Sequence, residues 1–285
     1  MKNILDLIKK NLILSYFILT FTISWGSLVV MIAVNGMPAT MAEAQAQLPI
    51  AIITFLGGPC ISGLLMTGIM SGRKGYRELL SRLLKWRVGI GWYVFAIFSG
   101  PVVLLAVPLF LSLFSPVFLP EIFSISNKTP MLILGIFSGI IVGICEEIGW
   151  TGFAIPRMRK RYSVLLTGLI LGVLWGAWHI LTNDIWVIRA YTGPLPPALY
   201  ATLTGLGFLI GQLPPFRILM VWVYDRTGSL LISMIMHFSL TAVTVSFMPV
   251  SGIGTSIFIL SFALSAVMWI FTGVILLANR KQFLG

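Results

Sequence analysis

The sequence predicts an all-α protein built as a polytopic membrane bundle of about eight transmembrane helices. Three observations predict it. Of 285 residues, 58% are hydrophobic and only 9% are charged, whereas roughly a quarter of an ordinary soluble chain is charged. Mean hydropathy is +1.01. Apolar runs of around twenty residues recur along almost the whole chain, each long enough to cross about 30 Å of hydrocarbon as a helix that satisfies its own backbone. The pattern leaves no room for a separate soluble domain, so residues 1–285 read as a single membrane domain.

The spans follow from the apolar runs, at roughly 11–35, 49–71, 90–114, 131–155, 163–183, 199–220, 229–250 and 254–279. The first is too long for a signal-peptide core and lacks a cleavage site, so it reads as a retained span. Between the second and third lies YRELLSRLLKWRVG, in which Tyr76, Leu79, Leu80, Leu83 and Trp86 recur at helical spacing with Arg77, Arg82 and Lys85 on other faces. That pattern predicts an amphipathic helix lying in the membrane interface.

Charge orients the bundle. A net charge of +11 would suggest nucleic acid in a soluble protein, but here the basic residues sit in short clusters between apolar runs and read as topology determinants. With the N-terminus in the cytoplasm, 17 Lys and Arg residues fall inside, Arg217 among them, and only Lys128 and Arg189 fall outside. The expectation is a cell-membrane protein with both termini cytoplasmic and no nucleic-acid partner. The two cysteines, Cys60 and Cys145, lie inside apolar runs as small core residues rather than as a disulfide or a metal site.

Of the eight acidic residues, Asp6, Glu43, Glu78, Glu121, Asp184 and Asp225 fall in loops or near span ends, while Glu146 and Glu147 sit side by side in an apolar run. One ionised side chain at bilayer depth costs about 2.5–3.5 kcal/mol on insertion scales. Two adjacent carboxylates in low dielectric cannot both ionise cheaply, which predicts a pair that shares a proton. The only histidines, His179 and His237, lie in the fifth and seventh spans. Buried Glu and His on three helices make a hydrolytic or a metal-binding set. Depth aligns them only in part. At 1.5 Å per residue, Glu146 lies about 15 Å from Pro156, His237 about 12 Å from Ser229 and His179 about 24 Å from Ser163.

These residues carry a resemblance. Glu146-Glu147 followed by Gly149-Trp150 and GFAIP, then Trp175-Gly176-Ala177-Trp178-His179, then His237 after VYDRTGSLLISMIM, resemble the CAAX protease and bacteriocin-processing family of intramembrane endopeptidases. The family's motifs are E-E-x-x-x-R, an aromatic residue separated by three residues from a His, and H-x-x-x-N or H-x-x-x-D. The resemblance covers about residues 131–250. It implies that Glu146 with His179 activates the hydrolytic water, that His237 assisted by Thr241 stabilises the oxyanion, and that Glu147 orients the others. Trp175, Trp178 and Met236 read as packing. The family Arg falls on Thr151 and the family Asn or Asp on Thr241. A threonine cannot replace a guanidinium, so Glu147 is expected to lack its ion-pair partner.

The resemblance implies a peptide or protein substrate, lipidated or not, at the membrane, and no cofactor in the preferred reading. The alternative is zinc held by Glu146, His179 and His237. Two other classes stand beside the protease: an inactive bacteriocin-immunity or scaffold protein of the same fold, and a proton-coupled transporter. The transporter fits worse, since all the polar chemistry is in one half of the chain.

Overall fold

The computed structural model describes residues 6, 8–248 and 255–285, and no β-strand occurs among them. Among the described residues, eight helices are long and apolar enough to cross a membrane: α1 (Leu12–Asn35), α2 (Met41–Leu83), α3 (Ile90–Ser112), α4 (Thr129–Met158), α5 (Val164–Ile185), α6 (Pro197–Thr227), α7 (Leu230–Phe247) and α8 (Ser256–Ala278). The chain is an integral membrane protein. Residues 249–250 at the predicted end of the seventh span and residue 254 at the predicted start of the eighth lie outside the described residues.

The largest boundary change is in α2, which starts eight residues early because Thr40 and Glu43 cap it reciprocally. The Thr40 hydroxyl accepts from the Glu43 N–H, and the Glu43 carboxylate accepts from the Ala39 N–H at 2.8 Å. At its far end α2 breaks at Gly72, where φ of 52° and ψ of −140° suit a residue without a Cβ. The basic amphipathic segment continues beyond this break as helix. Its apolar residues divide rather than forming one face: Leu79 packs on Leu230 and Met234, whereas Tyr76, Leu80 and Trp86 are exposed.

Two glycine stripes set the helix pairs that matter for function. Gly135, Gly139 and Gly143 face α7 from α4; a Cβ at Gly139 would lie 2.7 Å from the Phe238 carbonyl oxygen, and one at Gly143 would lie 2.9 Å from that of Met234. Gly168, Gly172 and Gly176 face α6 from α5; a Cβ at Gly168 would lie 2.5 Å from the Ile218 Cα. Small residues every fourth position let membrane helices pack backbone to backbone, where dispersion rather than the hydrophobic effect holds them. α4 thereby meets α7, and α5 meets α6, at the heights of the polar residues.

Three wide π-type turns interrupt these helices, at Trp150–Ala154, Leu181–Ile185 and Gly207–Gln212. Such turns concentrate at functional sites because the extra residue re-aims the side chains beyond it. The first follows Glu147, the second follows His179, and the third precedes Arg217.

One charge assignment changes. Arg217 is no boundary charge: it lies inside α6 and is 0% exposed. It drops out of the topology count, leaving sixteen basic residues against two. Asp184 lies in the wide turn closing α5 and is 2% exposed, with the Thr204 hydroxyl donating to it at 2.5 Å. Cys60 and Cys145 are free and half-buried.

Candidate active site

α4 delivers the two adjacent carboxylates, and helical geometry points them about 100° apart. They therefore meet different neighbours. Glu146, 2% exposed, accepts at Oε2 from the indole N–H groups of Trp150 at 3.2 Å and Trp175 at 2.7 Å. Trp150 sits one turn along α4, just where the wide turn begins. Trp175 comes from α5. The reading of Trp175 as packing is thus incomplete, because its ring packs while its N–H holds a carboxylate. Trp178 and Met236 are buried packing residues, with Trp178 stacked on Phe55 at 3.5 Å.

Glu147 is fully buried and accepts from three donors. Arg217 Nη1 lies 2.9 Å from Oε1 and 3.0 Å from Oε2, the Thr151 hydroxyl donates to Oε2, and His237 Nδ1 lies 2.7 Å from Oε1. The expectation that Glu147 lacks a guanidinium is overturned. Position 151 carries a hydroxyl aimed at the same carboxylate, and the guanidinium arrives from α6 instead. The expectation of a proton shared between the two glutamates also gives way, since each carboxylate is held by its own donors. Arg217 is further stabilised by the face of Trp175, 4.0 Å from its guanidinium carbon to the ring centroid. Its Nε and Nη2 have no hydrogen-bond partner among the described residues.

Sequence reasoning missed Arg217 because it fell near a predicted span end, in a region rich in arginine. The signal was in its surroundings. Seven uncharged residues, Ile218 to Tyr224, follow it and continue the apolar run, so it is too deep in the helix to reach water by extending its side chain.

His237, 2% exposed, stands on α7 beside both glutamates, with Nδ1 on Glu147 and Nε2 4.0 Å from Glu146 Oε2. Glu147 takes donors from Arg217 and Thr151, so it acts as an acceptor and Nδ1 carries the proton between them. The glutamate fixes the tautomer and aims Nε2 at Glu146. Ser229 sets the helix start, its side chain accepting from the Ile232 N–H, and the α4 glycines set its depth.

His179 is placed differently. Its Nδ1 lies 2.8 Å from the Trp175 carbonyl oxygen, which can only accept, so Nδ1 donates and Nε2 is the open nitrogen. The ring is half-buried against Trp178, Trp175 and Phe208, with centroids 4.9, 5.6 and 5.9 Å away. No hydrogen bond joins it to Glu146 among the described residues. The depth mismatch in the sequence is real: α5 starts at its Ser163 cap, and Trp175, one turn before His179, is the residue level with Glu146. The same indole touches the His237 ring at 5.1 Å, so both histidines flank Trp175. Thr241 lies one turn beyond His237, half-buried, with no hydrogen bond to the cluster among the described residues.

Among the described residues no group of three His, Cys, Asp or Glu side chains is placed to hold a metal ion. Glu146 Oε2 also already faces two N–H donors, whose positive ends disfavour a cation there.

Residues 128–243, which contain Glu146, Glu147, Thr151, Trp175, His179, Arg217, His237 and Thr241, match the family model for type II CAAX prenyl endopeptidases, Rce1-like. That match takes in 116 of the 285 residues, and over this stretch the chain is similar to the CAAX protease and bacteriocin-processing family. A curated relative, CAAX prenyl protease 2 of Methanococcus maripaludis, is 25% identical over 107 residues, 36% of this chain and 36% of the relative. The chain thus matches about a third of that protein's length. The matched stretch holds paired glutamates on α4 and one histidine on each of α5 and α7, and its arginine arrives from α6, since Thr151 stands at the arginine position of the first motif.

Proposed function

We propose that this protein is an intramembrane endopeptidase that hydrolyses a peptide bond with Glu146 as the general base and without a metal. One observation carries the reading: Glu146 Oε2 and His237 Nε2 face each other at 4.0 Å, both buried and each oriented by other partners. That separation is too long for a direct hydrogen bond and leaves the two groups facing a common reacting centre. Glu146 takes the proton from water as its oxygen attacks the scissile carbonyl carbon. The C–N bond then breaks as Glu146 returns that proton to the departing amine. His237, protonated, donates from Nε2 to the oxyanion, and Glu147 beneath it balances the ring's charge, the role a carboxylate plays behind a catalytic histidine. Arg217 and Thr151 hold Glu147 in that position. His179, with Nε2 open, completes the polar wall one turn away and binds the water or the substrate.

The substrate is a peptide or protein segment reached from the cytoplasmic side, with the protein in the cell membrane and both termini cytoplasmic, as the basic clusters at the N-terminal end of the bundle support. The test is cleavage of a panel of lipidated and plain peptides by the purified protein in nanodiscs, with products identified by mass spectrometry. Cleavage that Glu146→Ala and His179→Ala both abolish, and that survives thorough chelation, supports the mechanism. Activity lost on chelation and restored by Zn²⁺ overturns the metal-free part. Absence of cleavage across the whole panel assigns the chain to the scaffold or immunity class.

A further inference from the structure

A cavity of about 550 Å³ opens at the N-terminal end of the bundle, between α1, the Gly72 break of α2 and the connection from α4 to α5. Its lining divides by chemistry. Lys9, Lys10, Arg157, Lys160 and Arg161 contribute five cations, and no carboxylate lines it. The remainder is mainly apolar, with Ile13 and Phe17 of α1 facing Ile170 and Leu174 of α5. From Lys10 to Phe17 is about 10 Å of helix rise, and from Val164 to Leu174 about 15 Å, so the apolar part descends well below the charges.

The charges are only partly balanced within the protein, by Glu78 acting on Arg157. Arg159, next to this group but outside the lining, is taken by Asp225 at 2.7 Å. None of the five lining cations forms an ion pair among the described residues. Arg157 is held in place by donating to the Phe153 carbonyl at 2.8 Å and by stacking on the Phe153 ring, while Lys9, Lys10, Lys160 and Arg161 are exposed. A free anion would satisfy the cations and leave the apolar cleft unfilled; a neutral lipid would do the reverse. A ligand with a phosphate head and a hydrocarbon tail matches both parts.

We propose that this cleft is a binding site for one anionic phospholipid, its headgroup phosphate among the five cations and an acyl chain between α1 and α5. The site lies beside the catalytic cluster without being part of it. Phe17, on the cleft wall, stacks on Trp150 at 6.0 Å between centroids, and Trp150 holds Glu146. A chain in the cleft therefore packs against a wall of the active site.

The test is native mass spectrometry of the full chain titrated with phosphatidylglycerol or with phosphatidylcholine of identical chains. Tight retention of one phosphatidylglycerol over phosphatidylcholine is expected. Lys160→Gln with Arg161→Gln should lower that affinity roughly 10- to 30-fold, given the attraction of each basic residue to anionic lipid. Arg280→Gln with Lys281→Gln, which removes two cations outside the lining, should leave it unchanged. Ile170→Trp should weaken phosphatidylglycerol but not sn-glycerol 3-phosphate. Equal binding of the two lipids overturns the proposal, as does an equal loss in both double variants, which would mean diffuse surface attraction. Displacement of the lipid by sn-glycerol 3-phosphate at similar concentration would reduce the cleft to an anion site and likewise overturn it. All four substituted cations are at or near the surface, and Ile170→Trp is checked for folding by size-exclusion chromatography.

Discussion

Replacing Arg217 with Met removes one partner of an ion pair in which both side chains are 0% exposed. The remaining carboxylate keeps Thr151 and His237 but loses the guanidinium, the partner that is charged at any working pH. Breaking a buried pair in this way costs about 3–5 kcal/mol, mostly the penalty of an uncompensated charge, whereas removing both charges together costs far less. Arg217→Met and Glu147→Gln should therefore each destabilise the protein strongly. The double variant should recover about 2 kcal/mol or more relative to the sum of the singles, at the upper end of couplings between touching residues. The assay is denaturant or thermal unfolding of the four proteins in one detergent, followed by tryptophan fluorescence. Additive losses would refute the claim that Arg217 acts through Glu147, and so would an Arg217→Met protein as stable as wild type. A second readout follows from geometry. The position-151 side chain already reaches Glu147, so Thr151→Arg should restore both stability and cleavage to Arg217→Met, while in the wild-type background it crowds two guanidinium groups and lowers both.

Other outcomes follow from the same contacts. Trp175→Phe deletes the 2.7 Å hydrogen bond to Glu146 but keeps most of the ring, so cleavage should fall about tenfold or more with little change in unfolding midpoint. Gly139→Leu drives a side chain into the backbone of α7, where a Cβ alone would sit 2.7 Å from a carbonyl oxygen; it should destabilise by about 1–3 kcal/mol or more and be inactive, as read by the same unfolding and cleavage assays. Thr241→Ala, with no hydrogen bond to the cluster to lose, should lower kcat by a smaller factor than Glu147→Gln. A single cysteine introduced at Lys74 or Arg159 should resist membrane-impermeant labelling from outside the cell; efficient labelling would reverse the proposed orientation.

The bundle and its eight spans were legible in the sequence because hydrophobicity per residue is a local quantity, summed over twenty positions and blind to neighbours. Glu146, Glu147 and the two histidines were legible for a related reason: an ionisable group in an apolar run is costly wherever the run ends up. The glycine stripes at every fourth position were equally present in the sequence, although which helix each one faced was not. The partner of Arg217 was not legible, although its depth in an apolar run was, because the pairing depends on α5 and α6 packing closely enough to bring it under Glu147 from seventy positions away. A guanidinium needed by a carboxylate can be launched from any helix that passes within reach, and sequence order does not record which helix that is. The tautomers of His237 and His179, the doubled role of Trp175 and the separation of the two glutamates rest on the same cause. Composition and periodicity determined what had to be buried in the membrane, while the pairing of the buried charges was decided only when the helices came together.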